Sequence, residues 1–132
     1  MTAYGAKELA DSYRTVRRNT IQIANDIPES SYDFVPAPGA RSVSETLRHI
    51  IFASNFYEDL HHVRRITTLQ GYDFGAISRE NSAKERPTLD KAATVALLES
   101  EGERVAAWLE SMSPEFLHET YTDPMGQNPK TR

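Results

Sequence analysis

Apolar residues recur at intervals of three or four along three segments of the chain, as they do on one face of an α-helix. The first segment covers residues 6–27 and carries the stripe Leu9, Tyr13, Val16, Thr20, Ile23 and Ile27. Pro28 ends it, because proline lacks the N–H that a continuing helix needs. The second and third segments cover residues 43–67 and 89–111. The pattern predicts three long helices with their apolar stripes turned inward.

The helix starts carry recognisable caps. Ser42 and Glu45 have the spacing of a capping box, in which each side chain accepts the other residue's backbone N–H. Thr88 is expected to cap the third helix, with Asp90 in its first turn. Residues 69–87 form a polar connection in which only a short helical turn, at residues 78–83, is expected. Connections of this length are often functional.

Three amphipathic helices without a predicted strand indicate the all-α class, as an antiparallel up-down-up helical bundle. The 132 residues suit a single domain, residues 1–132, with ordinary fractions of hydrophobic (39%) and charged (26%) residues. Wide apolar stripes on only three helices suit either a three-helix bundle or a bundle that lacks a fourth, descending helix.

Charge and composition narrow the function. The net charge of −4 argues against binding to nucleic acids or to anionic membranes, both of which favour basic surfaces. The chain has no cysteine, so histidine, aspartate or glutamate would have to hold any metal. We find no signal peptide and no apolar run long enough to span a membrane, so the expected location is the cytoplasm.

His49 is the strongest candidate for chemistry. On a helical wheel it falls beside Ala53, Phe56 and Leu60, on the apolar side of the second helix. A histidine in such a position is most often a hydrogen-bonded core residue, but imidazole also serves as a metal ligand or a general base. Glu45, one turn earlier, is expected to orient the ring.

The other histidines fit a shared site less well. His61 and His62 are adjacent and point about 100° apart on a helix, so they cannot chelate one ion together. His61 lies roughly 18 Å along the helix axis from His49, which is too far for a common ligand. His62 is expected to be solvated, and His118 follows the third helix in a loop whose position the sequence does not determine.

Glu99 and Glu103 lie one turn apart on the third helix, among alanine residues. Paired carboxylates inside a bundle can bind divalent metals. Burial of unpaired carboxylates is costly, however, so both are predicted to reach solvent.

The segment before His49 resembles the DinB/YfiT superfamily, and helix order extends the resemblance over residues 6–122. The matching residues are Phe34, Pro36, Pro38, Gly39, Arg41, Ser42, Leu47, His49 and Ile50. The resemblance implies a four-helix bundle in which His49 binds a divalent metal, zinc or nickel, with two fourth-helix histidines. It also implies a metal-dependent transferase or isomerase that uses a small thiol.

No histidine follows His118, so His49 is the sole predicted metal ligand, and the domain is expected to be incomplete at its C-terminus. A partner helix could complete the bundle by domain swapping. The alternative interpretation is a non-catalytic helical module that forms a homodimer through its apolar faces.

Overall fold

The computed structural model describes residues 4–132 and confirms the all-α class. The helices are α1 (Ala6–Asp26), α2 (Val43–Phe52), α3 (Ser54–Glu58), α4 (Phe74–Glu85), α5 (Lys91–Glu110) and α6 (Pro114–His118). The strands β1 (Thr120–Thr122) and β2 (Pro129–Thr131) form a small antiparallel hairpin, with Thr120 opposite Thr131. The hairpin is a minor addition to a helical bundle.

The bundle is built on α1 and α5, which lie side by side. Its main core cluster consists of Ala24, Tyr32, Leu47, Ile51 and Leu98. The stripe predicted for α1 is wrong in part, because Val16 and Ile23 are 64% and 56% exposed. The buried positions are instead Ala10, Arg17 and Ala24, on the face about 100° around the helix from Val16 and Ile23. The buried face of α1 therefore carries two alanines and Arg17, and the larger apolar residues Val16 and Ile23 lie beside it.

The second predicted helix begins as expected but does not run unbroken to residue 67. The capping box is present: the Glu45 N–H donates to Ser42 Oγ (3.1 Å) and the Ser42 N–H donates to Glu45 Oε2 (2.7 Å). Ala53 keeps helical dihedral angles between α2 and α3. A π-helical turn, Asp59–Val63, then ends the helical path, and Arg65 leaves it with a φ of 44°.

Helix α4 occupies the segment that was predicted to be mainly a loop. It has twelve residues and begins at Asp73, whose carboxylate accepts the Ala76 N–H at 2.9 Å. Ile77 is its only buried residue. A helix anchored by one apolar side chain shows no periodic stripe, so apolar periodicity could not reveal it.

Helix α5 starts two residues later than predicted, and Asp90 rather than Thr88 is its cap, accepting the Ala93 N–H at 2.7 Å. Among its alanines, Ala92 and Ala96 are exposed, whereas Ala106 is buried. In the part of the chain that the structure describes, no helix combines the length and apolar character needed to cross a membrane.

Candidate functional site

His49 lies in the last turn of α2 and pairs with a carboxylate on α4. Its Nδ1 is 2.9 Å from Oε1 of Glu85, the final residue of that helix. The His49 side chain is 45% exposed and that of Glu85 is 17% exposed. No atom within residues 4–132 forms a hydrogen bond with Nε2 of His49. The ring is therefore held at one nitrogen, while the other is open to a ligand.

Glu45, the predicted partner of His49, has another role. Its carboxylate accepts the Ser42 backbone N–H, and this hydrogen bond is the main reason that the pKa of Glu45 is lowered. Glu85 orients the ring instead. The sequence analysis missed Glu85 because it lies 36 residues away, on a helix that the apolar pattern did not reveal.

Arg48 fixes the end of α4 against α2. It is 7% exposed, and its Nε donates to the backbone carbonyl of Glu85 at 2.7 Å. Its Nη1 donates to Ser44 Oγ at 2.6 Å. The backbone of Glu85 is thus bound by Arg48, while its side chain holds His49.

A cleft of about 410 Å³ opens beside the His49–Glu85 pair. Its apolar wall includes Phe56 and Phe74, whose ring centroids lie 5.7 Å apart with planes inclined by 23°. A second cavity of about 440 Å³ adjoins it, because Arg41, Ser82 and Glu85 line both. The combined cleft has aromatic residues at one end and arginine residues at the other.

Tyr72 packs against the aromatic end of the cleft. Its ring lies edge-on to those of Phe56 and Phe74. Its hydroxyl donates to Asp59 Oδ2 at 2.7 Å. Burial, followed by this hydrogen bond, raises the pKa of Tyr72 to about 12, so the phenol stays neutral.

The remaining histidines do not join His49. Nδ1 of His61 accepts a hydrogen bond from Arg132 Nη1 at 3.1 Å, and burial lowers the pKa of His61, with a further contribution from the Arg132 charge. The ring of His62 is exposed and lies 6.1 Å from that of Trp108. Nδ1 of His118 is 2.6 Å from the Pro114 carbonyl oxygen.

Glu99 and Glu103 are both exposed, as predicted, and Glu103 accepts hydrogen bonds from Arg14 at 2.8 and 3.1 Å. Over residues 4–132, no three histidine, aspartate or glutamate side chains come together as a metal-binding group.

Comparison with known families agrees with the fold. A model of the DinB superfamily matches residues 12–132, and the chain belongs to this superfamily. No curated protein and no solved structure matches the chain significantly.

Proposed function

We propose that this DinB protein binds one divalent metal ion, zinc or nickel, through Nε2 of His49, and acts as a transferase or isomerase on a small thiol. The observation that carries the proposal is the contact between Nδ1 of His49 and the Glu85 carboxylate. Metal-bound histidines usually donate their second ring nitrogen to such a carboxylate, which fixes the tautomer and strengthens the metal bond.

Among the described residues, His49 could supply one ligand of a metal site. Catalytic zinc sites use about three protein ligands, and residues 4–132 contain no group of three potential ligands. Water, the thiol or side chains of a second copy of the chain would have to complete the coordination. A bound ion would lower the pKa of a coordinated thiol and so supply a thiolate near neutral pH.

Metal content tests the proposal directly. The full chain, purified with zinc or nickel, is expected to hold one ion, and His49→Ala is expected to hold none. Glu85→Gln should bind the ion about 10- to 100-fold more weakly, because the orienting carboxylate is lost. His62→Ala is the matched control, since His62 is exposed on the same helical path. Unchanged stoichiometry in His49→Ala would show that the ligand assignment is wrong.

A second candidate is a non-catalytic module that forms a homodimer through α1. Val16 and Ile23 are seven residues apart, on one face of α1, and both are mostly exposed. Exposed apolar patches of this kind favour association.

Sedimentation of the wild type at micromolar concentration distinguishes the two candidates when metal content is measured in parallel. A metal-free dimer that Val16→Glu with Ile23→Glu converts to a monomer supports the module. Asn25→Glu, at an exposed position on the opposite face of the same helix, is the control. A wild-type monomer would count against this second candidate.

A further inference from the structure

We infer that the cleft beside His49 binds a small organic monoanion, with its carboxylate at the arginine end and its apolar part against the aromatic end. This inference names the substrate class of the site and rests on the proposed function for the role of His49. The arginines are Arg41, Arg48 and Arg86, and the aromatic residues are Phe56, Tyr57 and Phe74.

The buried guanidinium of Arg48 is the first support. Its described hydrogen bonds go to neutral acceptors, the Glu85 carbonyl and Ser44 Oγ. No carboxylate within residues 4–132 forms an ion pair with it, and its Nη2 has no partner there. A buried N–H donor without an acceptor is costly, so an anion entering the cavity that Arg48 lines would gain a ready hydrogen-bond partner. Arg17, another buried arginine, differs because both of its terminal nitrogens already donate.

Two more guanidinium groups stand at the rim. Arg41 follows a turn at Gly39, whose φ is 79°, and Arg86 follows α4 directly. Both are exposed, and neither forms an ion pair or a side-chain hydrogen bond with the described part of the chain. Guanidinium groups bind carboxylates through two parallel hydrogen bonds, so both are suited to this role.

The backbone N–H groups at the nearby N-terminus of α2 are not available to bind the carboxylate of the ligand. Helix N-termini often bind anions through free N–H groups. Here the first N–H groups are occupied, with Val43 donating to Phe34 O, Ser44 to Tyr32 O and Glu45 to Ser42 Oγ. The arginine side chains are therefore the donors available at this end of the cleft.

The charge of the arginine end matches a monoanion. Three arginines and two glutamates, Glu45 and Glu85, line this cavity, which gives it a formal charge of +1. The pKa of Glu45 is lowered by its hydrogen bond from Ser42, with smaller contributions from the Arg48 and Arg41 charges, so this carboxylate stays ionised at neutral pH. A single carboxylate therefore balances the formal charge of this cavity.

The aromatic end of the cleft would contact the apolar part of the ligand. Phe56 and Phe74 stack on each other, and Phe74 and Tyr57 are exposed. An aromatic or aliphatic group lying there would bury apolar surface on both sides. Because His49 and Glu85 line the same cavity, the bound molecule would lie next to the imidazole.

Calorimetric titration of the metal-stripped full chain with cinnamate and with the neutral cinnamyl alcohol tests this inference. Cinnamate is expected to bind at least about tenfold more tightly than the alcohol, because charge-assisted hydrogen bonds form only with the acid. Arg41→Gln combined with Arg86→Gln should weaken cinnamate binding by at least about tenfold and leave alcohol binding unchanged. Arg18→Gln, at an exposed arginine of α1, is the control.

Equal binding of acid and alcohol, or unchanged cinnamate binding in the double variant, would overturn the inference. Circular dichroism checks that the double variant is folded, which is expected because neither side chain bonds to the described chain. The two proposals can fail separately: the arginine variants should retain metal, whereas His49→Ala should lose metal and still bind cinnamate.

Discussion

Gly102 lies where the buried side chain of Arg17 crosses α5. A Cβ atom at this position would lie 2.5 Å from Arg17 Cγ and 3.1 Å from Cδ, well inside van der Waals contact. Arg17 cannot swing aside freely, because Nη2 donates to the Tyr13 hydroxyl at 2.6 Å and Nη1 to the Leu98 carbonyl at 3.3 Å. We therefore predict that Gly102→Ala destabilises the fold.

The expected size follows from opposing effects. Replacing glycine by alanine within a helix normally stabilises it by about 1 kcal/mol. Overpacking of a buried site costs about 1–3 kcal/mol, and each hydrogen bond that Arg17 loses costs about 1 kcal/mol more. The free energy of unfolding should fall by about 1–3 kcal/mol, which corresponds to a Tm lower by roughly 3–10 °C.

Urea denaturation followed by circular dichroism measures this change. Gly75→Ala is the control, because its Cβ would meet only the flexible end of Arg79 at 3.2 Å and the Asp73 carboxylate at 3.3 Å. In an Arg17→Ala background the cost of Gly102→Ala should disappear, since the clashing atoms are gone. A Gly102→Ala protein as stable as the wild type, or an equal loss in both backgrounds, would refute the reasoning.

Three further predictions concern stability. Burial and the Arg132 charge lower the pKa of His61, so the folded state binds a proton at His61 less readily than the unfolded state does. The free energy of unfolding should therefore fall as the pH drops below about 6.5. Urea titrations across this pH range should show a flatter profile for His61→Gln. Ser54→Ala should raise the free energy of unfolding by about 1 kcal/mol, because Ser54 Oγ is buried without a described hydrogen-bond partner; a lower urea midpoint would contradict this. Tyr32→Phe should lower it by about 1 kcal/mol, since the 2.7 Å bond to the Ala24 carbonyl is lost; an unchanged midpoint would count against it.

The sequence was sufficient to predict features that depend only on residues close together in the chain. The Ser42–Glu45 capping box depends on a spacing of three residues, and it was visible in the sequence. Pro28 similarly marks the end of α1 within two residues. The position of His49 beside Ala53 and Phe56 follows from helical geometry, and all three line the same cleft.

Features that depend on tertiary contacts were not predictable in this way. The pattern on α1 could not show whether the stripe with Val16 or the neighbouring face with Ala10 and Ala24 would meet α5. Glu85 could not be identified as the partner of His49, because that contact requires α4 to fold and to dock on α2. The local signal for α4 was the cap residue Asp73, and such a cap alone does not reveal where the helix packs.

Glu85 links the two ends of the cleft, because its backbone and its side chain each accept a hydrogen bond from α2. Its carbonyl accepts from Arg48, and its carboxylate accepts from His49. Fraying of the last turn of α4 would therefore free the imidazole and leave Arg48 with only its hydrogen bond to Ser44 Oγ, in a single event. Hydrogen exchange at residues 82–85 would report how often the protein visits that state, in which His49 and Arg48 have both lost their contacts with Glu85.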